Sequence, residues 1–281
     1  VTASTPHSPR DWRITGGLGV LVVLLVLAIV VPLRAPADQG SIADVLATRL
    51  TPPFSRDGRG VFHLLGTDAF GRDLAVRLWV GARLSLLVGV AGTVLSGALG
   101  VLLGAVAGWR GGLVDRVVIA LGDTMLAVPR LVLLLVIAAL WGPGITTVVV
   151  VLGVTGWMAV MRLVRAEVLG VRPLPYVEGA LALGVPAWRT VLRHVLPNAL
   201  GGATVALTLG VGNAIVLESG LSFLGLGVQP PAASWGNMIA GGREWLLVAP
   251  WIALLPGALL IATVVACTLL GEGLRASRRG A

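Results

Sequence analysis

Residues 176–200 read YVEGALALGVPAWRTVLRHVLPNAL. Long apolar runs flank this stretch, yet it carries a carboxylate at Glu178, arginines at 189 and 193, several small residues and a proline. Its placement relative to a membrane settles the topology of the whole chain. Pro173 and Pro175 stop any helix arriving from the N-terminal side, because a residue before proline avoids the α region. Tyr176–Leu183 is a short run of helix formers, Gly184 breaks it, and Pro186 suits the first turn of a second helix. That helix runs toward His194, and Leu196-Pro197 marks entry to the next apolar run. The pattern predicts two short helices joined at a glycine and held at a membrane surface. Ala180, Leu181 and Leu183 form a small apolar knob beside the single negative charge of Glu178. Two readings remain open at this point. The knob fits a groove on a soluble partner, or the helix rests on lipid headgroups.

Composition supports the membrane setting. Of 281 residues, 56% are hydrophobic and only 12% charged, about half the charged share of a soluble domain. The net charge of +8 is read as arginine in cytoplasmic loops. No basic run interleaved with aromatics points to nucleic acid. All 21 basic residues are arginine. A chain without lysine has no P-loop lysine for ATP hydrolysis and no lysine for a Schiff base. Cys267 is the sole cysteine and forms no internal disulfide. His7, His63 and His194 are scattered without metal-ligand spacing. No cofactor, metal or catalytic residue is expected in this chain.

A spanning helix needs about 20 largely apolar residues, and six candidates occur: 14–33, 84–109, 117–141, 145–161, 199–217 and 251–270. The expected fold class is an all-α membrane protein with six transmembrane helices. Arg10 and Arg13 precede the first run, and Ala35-Pro36-Ala37 imitates a signal cleavage site. The run is longer than a signal core and Pro36 sits inside the supposed site, so an uncleaved first helix is expected. Arginines at 10, 13, 110, 116, 162, 165, 172, 189, 193, 275, 278 and 279 fall in alternate loops. The positive-inside rule then places both termini and the 176–197 stretch in the cytoplasm. Segment 34–80 is too polar to span and reads as an exported loop with short helices. Residues 218–249 form a second outer loop, with Arg243 beside Glu218 and Glu244.

Several residues stand out within this frame. Thr67 or Asp68 is placed to cap a helix start, and Asp68, Arg72 and Asp73 are placed to pair locally. Apolar block 221–238 is expected to tuck back into the protein or meet another subunit. Gly92, Ser96, Gly100, Gly104 and Gly108 recur every fourth position and permit close helix approach, within the subunit or against a second one. Asp123, Arg130 and Asn213 are the polar residues expected at membrane depth, where ionisable groups are expensive and often functional. Seven residues apart, Asp123 and Arg130 share a face of an ideal helix about two turns apart and do not pair directly. A plainer reading has Asp123 near the cytoplasmic interface and Arg130 snorkelling.

Glu178-Gly179-Ala180, then Gly184, then Leu196-Pro197 resembles the EAA motif of ABC importer permeases. That motif has Glu-Ala-Ala, a glycine four residues after the second alanine, and a closing Leu-Pro. Gly179 stands where the motif has its first alanine, and His194 where it often has isoleucine. A glycine weakens a helix by about 1 kcal/mol relative to alanine, so a looser first turn is expected. Three further blocks resemble the C-type permeases of dipeptide, oligopeptide and nickel importers. They are Gly66-Thr67-Asp68-Ala69-Phe70-Gly71-Arg72-Asp73 with Gly81-Ala82-Arg83-Leu84-Ser85-Leu86, then 221–231 with Ser234-Trp235-Gly236-Asn237-Met238, and Arg193–Asn198. The resemblance covers nearly the whole chain. It implies a type I ABC importer permease fold. Residues 1–80 would form an N-terminal tail, first helix and extracytoplasmic segment, and 81–281 the transmembrane domain. It implies that Glu178, Gly179, Ala180, Gly184, Leu196 and Pro197 belong to a coupling helix near 176–197, seated in a cleft of an ATPase subunit. It also implies a second homologous permease, two ATPase subunits or domains carrying ATP and magnesium, an extracytoplasmic binding protein, and a bacterial cytoplasmic membrane.

The expected function is therefore ATP-driven import of dipeptides or oligopeptides by alternating access. Nickel or another small solute is the alternative substrate class. A proton-coupled secondary transporter would need a working intramembrane carboxylate, for which Asp123 is the mid-chain candidate, and inverted repeats, which are not evident. An intramembrane enzyme would need catalytic groupings that the spans lack.

Overall fold

The computed structural model describes residues 10–34 and 45–278. Ala35-Pro36-Ala37 lies outside the described residues. Helix α1 (Arg10–Arg34) is followed by a short helix α2 (Val45–Thr48) and a two-residue antiparallel hairpin, β1 (Ser55–Arg56) with β2 (Phe62–His63). Polar bonds knot this segment together. Thr67 Oγ1 donates to the Thr48 carbonyl at 2.6 Å and accepts from the Thr51 N–H at 2.8 Å. Asp68 accepts the N–H groups of Phe70 and Arg72 and pairs with the side chains of Arg72 and Arg77.

Helix α3 (Leu74–Arg110) begins ten residues earlier than expected from hydropathy and is 37 residues long. At 1.5 Å per residue it is about 55 Å long, well beyond the ~30 Å hydrocarbon core. Its N-cap is Asp73, which accepts from the Val76 N–H. Thr67 and Asp68, the expected caps, are committed to the knot instead.

The run 117–141 is not one straight helix. Helices α4 (Gly112–Ala127) and α5 (Arg130–Trp141) meet at 88°. Val128 precedes Pro129 and takes extended angles, φ −93° and ψ 130°, as a residue before proline prefers. Helices α6 (Ile145–Val154) and α7 (Trp157–Val171) form the next span with an interruption at Thr155-Gly156. Then come α8 (Pro175–Ala182), α9 (Ala187–Thr190), a π turn over Val191–Val195, and α10 (Leu196–Phe223). A capped helix α11 (Trp235–Gly242) precedes α12 (Trp251–Arg278). Among the described residues five helical segments are long and apolar enough to cross a membrane, and the bent α4–α5 pair, counted as one span, makes a sixth.

Helix α3 is the central post, packed against α6, α7, α10 and α1. Its small residues face the same subunit. A Cβ at Gly92 would lie 2.9 Å from Leu152 Cβ, one at Gly100 2.8 Å from the Trp157 carbonyl, and one at Gly104 2.6 Å from the Met161 carbonyl. The row therefore lets α3 lie directly on α6 and α7. Large apolar side chains such as Leu87, Val94, Leu102, Val136 and Ile261 remain exposed, as in a protein surrounded by lipid.

Candidate functional site

Residues 174–198 fold as a hinge at one end of the bundle. Leu174 is extended and Pro175 occupies the first turn of α8, where no N–H is missed. The helix closes on Gly184, at φ +80°. The Gly184 N–H donates to the Leu181 carbonyl and the Val185 N–H to the Ala180 carbonyl, the paired bonds of a left-handed helix stop. Val177 is the anchor, fully buried with Val164, Val168, Val195, Ala199 and Ala203. Glu178 and Gly179 are exposed and Ala180 is partly so. Leu183 is 87% exposed and Trp188 62%. A Cβ at Gly179 would meet nothing within 4 Å, so packing does not demand glycine where the motif has alanine.

The second helix of this hinge differs from expectation. It does not stop before the fifth span but runs into it, forming one segment from Ala187 to Phe223. Pro197 has no N–H to give the Arg193 carbonyl, and the backbone widens to a π turn in which the Leu196 N–H reaches the Val191 carbonyl. Asn198 Nδ2 donates to the His194 carbonyl at 2.7 Å and to Tyr176 Oη at 3.3 Å, tying α8 to α10.

The three expected intramembrane polar residues separate into two groups. Asp123 lies on an exposed face and pairs with Arg162 of α7. Arg165 holds Asp115 through two nitrogens, one at 2.6 Å, so α4 is clipped to α7 twice. The 88° bend removes the shared helix face expected for Asp123 and Arg130. Arg130 and Asn213 instead line one cavity of about 340 Å³ with Thr93, Ser96 and Gly156.

Sequence reading missed a fourth residue. Glu218, expected in an outer loop, is fully buried in the last turns of α10. Ser222 Oγ donates to its Oε1 at 2.7 Å, and Ser85 and Ser219 donate to its Oε2 at 3.1 and 3.3 Å. Ser85 Oγ also accepts the Trp235 N–H at 3.1 Å, and Ser222 Oγ the Val228 N–H at 3.0 Å. One carboxylate thus joins α3, α10 and the 224–234 loop, which does fold back as expected: Val228, Ala233, Ser234 and Trp235 are buried. Asp123 is consequently not the one mid-chain carboxylate within the spans. Two of its serine partners, Ser219 and Ser222, are local in sequence, whereas Ser85 is 133 residues away.

Comparisons with known proteins agree with this architecture. The family model for the binding-protein-dependent transport system inner membrane component matches residues 100–276. The oligopeptide transport system permease protein OppC of Bacillus subtilis is 37% identical, over 92% of this chain and 82% of its own length. The dipeptide permease DppC of the same organism is 38% identical over 92% and 79%. The di/tripeptide permease DppC of Pseudomonas aeruginosa is 39% identical over 92% and 85%. The fold is that of the inward-facing MetNI methionine ABC transporter, with TM-score 0.54 and 21% identity over 74% of this chain and 96% of that one. The chain belongs to the family of inner membrane components of binding-protein-dependent transport systems.

Proposed function

We propose that this chain is a permease subunit of an ATP-driven importer of dipeptides or oligopeptides. The observation that carries this reading is the similarity to three peptide permeases, each spanning 92% of the chain. Family membership argues against a secondary transporter. Asp123, the carboxylate a secondary transporter would have needed at membrane depth, sits exposed in an ion pair with Arg162. The same relatives favour peptides over nickel chelates and other small solutes, the alternative substrate class.

In this reading residues 1–80 supply the tail, first helix and extracytoplasmic segment, and 81–281 the transport domain. Both termini and residues 176–197 face the cytoplasm. The partners are a second permease, two ATPase subunits holding ATP and magnesium, and an extracytoplasmic binding protein. Glu178, Gly179, Ala180, Gly184, Leu196 and Pro197 form the coupling site. The geometry that supports this role is an exposed apolar knob, Leu181 and Leu183, carried on a short helix with one buried anchor, Val177. Closure of the ATPase pair pushes the knob, and the long helix behind it re-orients in alternating access.

Reconstitution tests the reading. The chain alone in liposomes moves no peptide and hydrolyses no ATP. With its partners, loaded binding protein stimulates hydrolysis and peptide enters. Uptake by the purified chain alone, driven by a pH gradient, would refute the assignment. Glu178→Lys and Gly184→Leu should each abolish uptake while assembly persists, since leucine at φ +80° costs about 1–2 kcal/mol. Normal uptake by either variant removes residues 176–197 from the coupling role.

A further inference from the structure

The cavity beside the α6–α7 break contains a cation without an anion. Arg130 opens α5 just past the 88° bend. Its Nη2 donates to the Leu152 carbonyl at 3.4 Å, and its Nε is buried with no hydrogen-bond partner. That carbonyl is available because the helix breaks there: the Gly156 N–H turns to the Gly153 carbonyl. Gly156 also makes the space, since a Cβ there would lie 2.9 Å from Arg130 Nη2 and 2.8 Å from Ser96 Cβ. The neighbouring carboxylates are taken, Asp123 by Arg162, Asp115 by Arg165 and Glu218 by its serines. Among the described residues Arg130 has no acidic partner.

Arg130 packs at the level of Ser96, roughly 21 Å along α3 from Arg110 and roughly 33 Å from Leu74. Arg130 therefore lies toward the middle of α3, away from both of its ends. An uncompensated arginine at that depth is costly. Across the cavity, Asn213 of α10 exposes its side-chain amide. A guanidinium fork facing an amide donor complements a carboxylate, which accepts through two oxygens.

We propose that Arg130 and Asn213 form an intramembrane way-station for the terminal carboxylate of a passing peptide, an inference that rests on the peptide-import reading. Every linear peptide carries that group whatever its side chains. A site built on it serves substrates of many sequences.

The test uses the reconstituted complex with its partner subunits and binding protein, and two substrates, trialanine and its C-terminal amide. Arg130→Gln should slow trialanine uptake about tenfold or more and change amide uptake less than about twofold, with Arg130→Lys restoring part of the loss. Equal loss for both peptides, or no loss for either, overturns the proposal. So does failure of Arg130→Gln to assemble, because the arginine then pairs with the partner permease. For a binding protein that rejects the amide, Ala159→Cys in a Cys267→Ser background gives the answer. Ala159 is exposed and lines the cavity, so trialanine should slow its alkylation, and should not do so after Arg130→Gln. Absence of protection with Arg130 present also overturns the proposal. An unaltered complex whose ATPase responds to loaded binding protein but which imports neither peptide refutes the peptide reading instead.

Discussion

Replacing Glu218 with alanine measures what the buried carboxylate junction contributes. The side chain is wholly buried and accepts from Ser85, Ser219 and Ser222. Alanine leaves three hydroxyls without their acceptor. Ser219 lies on α10 and can turn to a carbonyl one helical turn back. Ser85 and Ser222 are less free, because their oxygens also hold the Trp235 and Val228 N–H groups, so at least one donor is left unsatisfied. One unsatisfied buried donor costs about 1–3 kcal/mol, and the void left by the shortened side chain adds about 1–2 kcal/mol. The expected loss is about 2–5 kcal/mol, or a midpoint lower by about 5–15 °C for a chain of this size. Glu218→Gln keeps the shape and one acceptor, and should lose less than half as much. Cys267 provides the assay. It is the sole cysteine, 2% exposed, and its Cβ would lie 3.2 Å from a Cβ at Gly212 of α10. A thiol-reactive fluorophore in detergent therefore reports separation of α10 from α12 on heating. An unchanged or higher midpoint for the alanine variant would refute the reasoning. It would mean that burying the carboxylate costs more than its three hydrogen bonds return.

Gly104→Leu should prevent α3 from seating on α7, because even a Cβ there meets the Met161 carbonyl at 2.6 Å. The same thiol assay should show early exposure of Cys267, and a normal melting curve would contradict the packing account. In a Cys267→Ser background, single cysteines at exposed Ala187 and fully exposed Leu247 should label from opposite sides of intact cells. Access of an impermeant reagent to position 187 would reverse the proposed topology. Burial raises the Asp57 carboxyl, but hydrogen bonds from the Val61 N–H, the His63 ring and the Arg59 N–H outweigh it and leave the group below its ordinary value of 3.8. A depressed folded value gives a stabilisation complete above the unfolded value and lost as pH falls through the folded one. Hydrogen-exchange protection of the 55–63 hairpin should therefore drop on acidification below about pH 4, and Asp57→Ala should remove that dependence.

The parts of this fold that are legible in sequence are those set by local chemistry. Twenty-residue apolar runs found the spans, Gly184 found the hinge, and the small residues from Gly92 to Gly108 found the packing face. The parts that escaped are non-local or average out. Val128-Pro129 lies in a run so apolar that hydropathy passes over it, although the proline forbids the continuous helix. Asp123 and Arg162 are 39 residues apart in sequence, so neither reveals the other. Glu218 looked like an outer-loop charge because its acceptor role depends on Ser85, 133 residues away. Asp73 caps α3 because Thr67 and Asp68, equally suited by residue type, are held in the knot by partners distant in sequence. Of the candidate site, the hinge at 184 was readable, whereas the placement of Arg130 and Asn213 on one cavity required the bend.

The continuous helical segment from Ala187 to Phe223, with its π turn near one end, has a mechanical consequence. Thirty-seven residues make a rod about 55 Å long, and a tilt of about 5° carries its far tip about 5 Å. A push at Trp188 acts with an arm of about 45 Å on the hydrogen bonds around Glu218. The π turn just beyond Trp188 is the compliant joint, and the serine–carboxylate clamp is the stiff one. Were the segment pushed at Trp188, as the coupling proposal has it, the stiff joint would set the fulcrum and most of the travel would fall at the Trp188 end.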